Sequence, residues 1–277
     1  MKNNNGKIGI FDSGLGGLTI LKEVIAQLPE REYLYLGDNL RAPYGDRTQK
    51  KIFEYTLAGV EWLFSHGAEI VILACNTASA NALRKIQQEV LPFKYANKKV
   101  LGIIIPTAEE LSKFSLSKHI GVLATVATVA SGSFEREAKK YNPKIKLSIQ
   151  SGGKLAELIE QNKDKKKLET EIEMVIGRLM AKDKLIDTIV LGCTHYALIE
   201  EQIKESLPSG IRIISQGEIV AKKLAEYLNR HAEIDQRLSN RFAVDFYTTA
   251  IDDTAKKKMA QFFGKEISVA TVDLNRH

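Results

Sequence analysis

The chain has 277 residues, 44% hydrophobic and 27% charged, which is ordinary globular composition and enough for one large domain or two of usual size. No apolar run approaches the roughly 18–20 residues of a membrane span, and Met1 to Lys7 lacks the apolar core of a secretory signal, so a cytoplasmic protein with no membrane partner is expected. The net charge of +6 comes from scattered runs such as Lys163 to Lys167 and Lys256 to Lys258, interspersed with acids and without an arginine–aromatic pattern; this reads as solvated helix faces, not a nucleic-acid surface, and as a mild field that draws in a small anion.

Lys7 to Phe11 reads as a buried strand ending at the polar, glycine-rich Asp12-Ser13-Gly14-Leu15-Gly16-Gly17. Leu18, Leu21, Ile25 and Leu28 then fall at helical spacing, and Pro29 stops that helix. Tyr33 to Leu36 is a second strand, followed by a polar loop through Asp38, Pro43, Tyr44 and Gly45 and a helix marked by Ile52, Tyr55, Gly59 and Trp62. The apolar run Ile70 to Ala74 ends at Cys75, after which Asn76 or Thr77 is placed to cap a helix. Val100 to Ile105, Ile120 to Ala124, Lys146 to Ile149 and Thr188 to Leu191 read as further strands, with a helix around Ala108 to Phe114 and a largely helical, charged stretch over 154–182. Arg212 to Ile214, Ala243 to Tyr247 and Ile267 to Ala270 complete the strands. Strand–helix alternation throughout predicts an α/β fold of mostly parallel sheets covered on both faces.

The chain echoes itself. Lys7-Ile8-Gly9-Ile10-Phe11 opens the first half, and His119-Ile120-Gly121-Val122-Leu123, followed by Thr125 and Thr128, opens the second. Ile8 lies 67 residues before Cys75 in the phrase Leu73-Ala74-Cys75-Asn76-Thr77; Ile120 lies 73 residues before Cys193 in Leu191-Gly192-Cys193-Thr194-His195. Two similar α/β units, facing each other, are expected.

The two cysteines are the only ones, in a chain with no export signal, which argues against a disulfide scaffold. In parallel α/β sheets ligands gather beyond the carboxyl ends of the strands, where Asp12, Ser13, Cys75, Thr125, Thr128 and Cys193 all fall. A helix N-terminus favours thiolate, and Asn76, Thr77 and Thr194 add donors beside each sulfur. A Cys193–His195 hydrolase would leave Cys75 without a role, Cys193-Thr194-His195 has the wrong spacing for a zinc turn, and a C-x-x-C redox pair is absent. The two cysteines read instead as an acid and a base that exchange a proton at one carbon from opposite faces. Asp12 would support Cys75 and His195 would support Cys193, while backbone at Ser13 to Gly17 would hold a carboxylate. No pyridoxal phosphate lysine motif is evident; no cofactor and no metal is expected.

These phrases resemble the cofactor-independent glutamate racemase family: Gly9 to Leu18, Gly37-Asp38 with Pro43-Tyr44-Gly45, Ala74 to Ala80, Leu191 to Tyr196, Tyr247-Thr248-Thr249 and Val272-Asp273-Leu274, in order along nearly the whole chain. The resemblance implies that Cys75 works on the D enantiomer and Cys193 on the L enantiomer, assisted by Asp12 and His195. It implies a substrate lined by Asp12, Ser13, Pro43, Tyr44, Gly45, Asn76, Thr77, Thr194 and His195, with Thr125 and Thr128 on the side-chain carboxylate. It implies two pseudo-two-fold-related units, 1–98 with 211–277 and 99–210, with the active site between them. It also implies glutamate as the small-molecule partner, D-glutamate supply for peptidoglycan, and a homodimer. Ile105, Lys154, Ala197 and Gln216 depart from the family pattern. Aspartate racemisation and a non-catalytic anion-binding module are the alternatives.

Overall fold

The computed structural model describes residues 5–161 and 164–274; the first four residues of the N-terminal segment and Lys163 of the basic run lie outside the described residues. Ten strands fall in two sheets: β1 (Lys7–Asp12), β2 (Glu32–Gly37), β3 (Ala68–Leu73), β4 (Lys99–Gly102), β5 (His119–Ala124), β6 (Lys146–Ser151), β7 (Thr188–Gly192), β8 (Arg212–Ile214), β9 (Ala243–Thr248) and β10 (Val269–Thr271). The six-stranded sheet has the order β10-β9-β2-β1-β3-β4 and the four-stranded sheet the order β6-β5-β7-β8. Every pairing within both sheets is parallel.

The expected repeat is visible in this order. Counted from the start of each half, the second, first, third and fourth strands stand side by side in both sheets. Cys75 follows the third strand of one half and Cys193 the third strand of the other; Asp12 and Thr125 stand at the ends of the two first strands. Strands β9 and β10 extend the first sheet beyond β2.

Alternate side chains explain the continuous apolar runs. In β1 and β3, Ile8, Ile10, Ile70 and Ile72 enter one apolar cluster while Phe11, Val71 and Leu73 enter another. In β5 and β7, Leu123, Ile189 and Leu191 separate in the same way from Ile120, Val122 and Val190. Each sheet is therefore buried on both faces, as helix-covered parallel sheets are. Among the described residues no helix is long and apolar enough to cross a membrane.

Three local expectations change. The apolar run beginning at Val100 is not one strand: β4 stops at Gly102 and a helix covers Ile104–Phe114. Pro106 is its third residue, within the first turn, where a missing N–H costs no helical hydrogen bond. The charged stretch is largely helical as expected, in Leu155–Gln161 and Lys165–Lys182, but the last strand begins at Val269, two residues later than the sequence indicates. The chain crossings also shift: β4 pairs with β3 in the first sheet, and β8 pairs with β7 in the second. Residues 99–102 thus share the sheet of the first unit and 212–214 that of the second, because strand pairing continues past the expected crossings near 98 and 211.

Candidate active site

Strand ends from both halves converge on one cavity of about 40 Å³. Ser13, Pro43, Tyr44, Gly45, Cys75, Asn76 and Thr77 wall it from the first half, and Thr125, Cys193, Thr194 and His195 from the second. Both cysteines are free and only 6% and 5% exposed. Asp12 and Thr128 stand behind this wall instead of in it. Asp12 is fully buried at the end of β1, and Thr128 is held by Thr125 and Thr77. The cavity shares Pro43, Asp46, Glu157 and Glu160 with a wider recess of about 500 Å³ that also includes Arg47 and Lys258.

Cys75 is itself the cap of helix Asn76–Lys85, a role expected of Asn76 or Thr77. Its backbone is extended, and its sulfur accepts the Ala78 N–H at 3.4 Å. Ser13 Oγ lies 3.1 Å from the same sulfur. Asp12 acts on it by charge and not by a direct bond: Asp12 Oδ2 accepts the Gly14 N–H at 3.0 Å, and Oδ1 has no hydrogen-bond partner among the described residues. Burial, with the Asp12 charge next in weight, pushes the Cys75 thiol up to about 12 against the opposing hydrogen bonds from Ser13 and Ala78. Cys75 is therefore a protonated thiol at neutral pH. Burial also raises Asp12, offset in part by the His195 charge and by the Gly14 and Gly17 N–H groups. The Gly14 N–H is thus engaged by Asp12 itself.

The glycines there serve close approach. A Cβ on Gly14 would stand near Glu160 Oε1 and 3.5 Å from His195 Nε2, and one on Gly16 would lie 2.8 Å from the His195 backbone nitrogen. Only the bare backbone lets the second half press its site residues onto the end of β1.

Cys193 is served differently. His195 Nδ1 lies 3.7 Å from its sulfur, while His195 Nε2 lies 2.8 Å from Glu160 Oε1. Burial pulls the imidazole downward, but the hydrogen bonds to Cys193 and Glu160 outweigh it and hold the ring well above the usual histidine range. Burial acts to raise Glu160, yet the bond and charge of His195, with Lys258, keep its carboxyl below the usual range. Lys258 Nζ donates to the Glu160 carbonyl at 2.5 Å, so one lysine of the run read as a solvated face reaches the mouth of the site. Glu160 was not found from sequence. It sits 35 residues before His195 in a charged helical stretch, with no local signal to separate it from Glu157.

Hydroxyls line the far end. Thr77 Oγ1 and Thr125 Oγ1 are 2.9 Å apart across the two halves, and Thr125 donates to Thr128 at 2.9 Å. Tyr44 is fixed by its hydroxyl, which donates to Asp38 Oδ2 at 2.5 Å, while Thr249 donates to Asp38 Oδ1 at 2.8 Å. These bonds give Gly37-Asp38 and Tyr247-Thr248-Thr249 a physical role: they brace the Tyr44 wall from β2 and β9. Lys154, Asp46 and Val126 also line the cavity, whereas Ala197 lies in a separate recess behind Cys193. Among the described residues no cluster of three or more His, Cys, Asp or Glu side chains is placed to hold a metal ion.

A pair of buried thiols on opposite halves of one cavity, each with its own proton partner, suits proton exchange at a single small substrate. A family model described as Asp/Glu/Hydantoin racemase matches residues 16–224. The glutamate racemase of Ruegeria pomeroyi is 38% identical over 273 residues, covering 95% of this chain and 98% of that protein. The crystal structure of a glutamate racemase from Bacillus anthracis superposes with a TM-score of 0.88 at 32% identity, covering 99% of both chains. That of the Francisella tularensis glutamate racemase in complex with D-glutamate gives 0.85 at 29% identity, covering 99% of this chain and 100% of that one. The chain belongs to the glutamate racemase family within the Asp/Glu/hydantoin racemases.

Proposed function

We propose that the protein interconverts L- and D-glutamate by proton transfer at the α-carbon, with Cys75 and Cys193 as the two acid/base groups. The observation that supports this most is that the only two cysteines, from equivalent positions of two repeated units, line one cavity with unlike partners. In the L-to-D direction, a Cys193 thiolate takes the α-proton, breaking the Cα–H bond. The Cys75 thiol then delivers its proton to the opposite face, leaving Cys75 as thiolate and the stereocentre inverted. The reverse reaction exchanges the roles. His195 carries positive charge beside the Cys193 sulfur, and Asp12 lies within electrostatic reach of Cys75, so each is placed to assist its own thiol. Thr77, Thr125, Tyr44 and Gly45 are the groups for the side-chain carboxylate. An α-amino carbon is a very weak acid, and donors fixed around a narrow cavity stabilise a developing carbanion better than bulk water does.

A cytoplasmic location, a homodimeric assembly and supply of D-glutamate for peptidoglycan belong to the same reading. The D-glutamate bound in the Francisella relative supports the choice of substrate.

The test is incubation of each enantiomer of glutamate, and separately of aspartate, in deuterated water, followed by polarimetry and mass spectrometry. Glutamate should racemise with one solvent deuterium at the α-carbon, and Cys75→Ser and Cys193→Ser should each lower the rate by more than about a thousandfold. Turnover of aspartate alone would overturn the substrate. Full activity in either serine variant would overturn the mechanism.

A further inference from the structure

Gln216 lies in the turn between β8 and the helix Gly217–Arg230. It is 3% exposed and carries no charge, yet it joins two elements that the sequence keeps far apart. Its Nε2 donates to Thr107 Oγ1 at 2.8 Å and approaches the Ile103 carbonyl at 3.4 Å. Its Oε1 accepts from Asn76 Nδ2 at 2.6 Å.

The direction of this chain of bonds is fixed by chemistry. The Ile103 carbonyl can only accept, and Thr107 Oγ1 gives its one hydrogen to that carbonyl at 2.7 Å. Both groups facing the far end of Gln216 are then acceptors, so its amide must turn its NH₂ toward them. Its oxygen must face Asn76, and Asn76 must answer with its own NH₂. The Asn76 oxygen is left over. It is buried, has no hydrogen-bond partner among the described residues, and belongs to a side chain that lines the cavity beside Cys75. A buried acceptor left unmatched calls for a donor. Glutamate's two carboxylates only accept; its one donor is the α-ammonium.

We propose that Gln216 is a positioning residue: through Thr107–Gln216–Asn76 it locks the Asn76 amide with its oxygen as the acceptor for the substrate ammonium. The proposal rests on glutamate as substrate. Without Gln216, the Asn76 amide is free to flip and to present NH₂ to an ammonium that it would repel. The effect is on recognition of the amino group and not on the carboxylate contacts at Thr77 and Thr125.

The experiment compares glutamate with glutarate, which keeps both carboxylates and lacks the amino group. In Gln216→Met, KM for both glutamate enantiomers should rise about tenfold, while the inhibition constant of glutarate changes less than twofold. Thr107→Val, which cuts the far end of the relay, should shift the same ratio in the same direction by a smaller factor. Should Gln216→Met fail to fold by circular dichroism, the Thr107→Val ratio decides. Equal weakening of glutamate and glutarate, or no change in either, overturns the proposal while the wild-type racemase activity stands. If the wild-type chain racemises neither enantiomer, the proposed function fails and this proposal falls with it.

Discussion

Replacing Glu160 by glutamine removes one charge and almost no volume, so its consequence follows from the His195 contact. In the native protein a carboxylate oxygen lies 2.8 Å from His195 Nε2, and the two side chains are 21% and 8% exposed. A hydrogen bond between charged partners contributes about 1.5–3 kcal/mol, and the partial exposure of Glu160 places this one toward the lower end, about 1.5–2 kcal/mol. If that energy holds the imidazolium beside Cys193 during proton transfer, kcat/KM should fall roughly 10- to 30-fold. The fall must be equal for both enantiomers, because mirror-image substrates have an equilibrium constant of one whatever the enzyme. The sign of the pH effect is also set. Glu160 raises the His195 pKa, so the cation persists to higher pH in the native protein and is lost as pH rises through that value. In Glu160→Gln the ring loses its proton earlier, and the alkaline limb of kcat/KM should move to lower pH. Initial rates by polarimetry across pH 6–10 measure both effects. A variant whose kcat/KM stays within threefold of the native value, or whose alkaline limb does not move, would show that the Glu160–His195 contact is only structural.

Two further outcomes concern stability. Gly59→Ala in helix Gln49–Ser65 would put a Cβ only 2.6 Å from Phe11 Cδ2 and closer still to Cε2, with Phe11 next to Asp12 at the site end of β1. Overpacking of this kind should cost about 1–3 kcal/mol and lower the melting temperature despite alanine's better helix propensity; an unchanged or higher melting temperature would count against it. The Cys75 pKa, raised from 9.0 to about 12, means that the folded state holds this proton more tightly than the unfolded chain. Its contribution is fully present below pH 9 and is lost as pH climbs toward 12, by about 1.4 kcal/mol per pH unit at most. Burial raises Tyr33, Tyr35, Tyr44 and Tyr196 as well, so the measurement is the difference between native and Cys75→Ser in urea unfolding at pH 8 to 10.5. Parallel curves would refute the assignment.

What the sequence shows of this protein depends on how local the physics is. The strands before Cys75 and Cys193 are legible because burial on both sheet faces leaves unbroken apolar runs ending at polar turns. The same signal misleads at Ile103-Ile104-Ile105, where a buried helix start continues the apolar run of β4 and periodicity over so few residues cannot separate the two. Cys75 as a cap escapes notice because sulfur is a weak acceptor, and neighbouring Asn76 and Thr77 are better caps by type. Glu160 and Gln216 are out of reach for another reason. Their partners, His195 and Asn76, lie 35 and 140 residues away, and only tertiary packing brings them together.

The repeated strand order makes the two halves alike, but the site they form is not symmetric in charge. Two thiolates facing one small cavity would repel each other and the substrate carboxylates, and two thiols could not take a proton. A two-base site therefore needs one of each at any moment, and the protein has to decide which. Around Cys75 the fold places a hydroxyl, one backbone N–H and a carboxylate, with no cation among the causes acting on it, and the thiol is driven up to about 12. Around Cys193 it places an imidazole kept cationic by Glu160, which Lys258 in turn supports. On the proposed mechanism each turnover leaves a proton on the thiol that took it, and so exchanges the roles of Cys75 and Cys193. The repeated strand order puts the two sulfurs at equivalent positions; Glu160 beside His195 and Asp12 near Cys75 make their surroundings unlike.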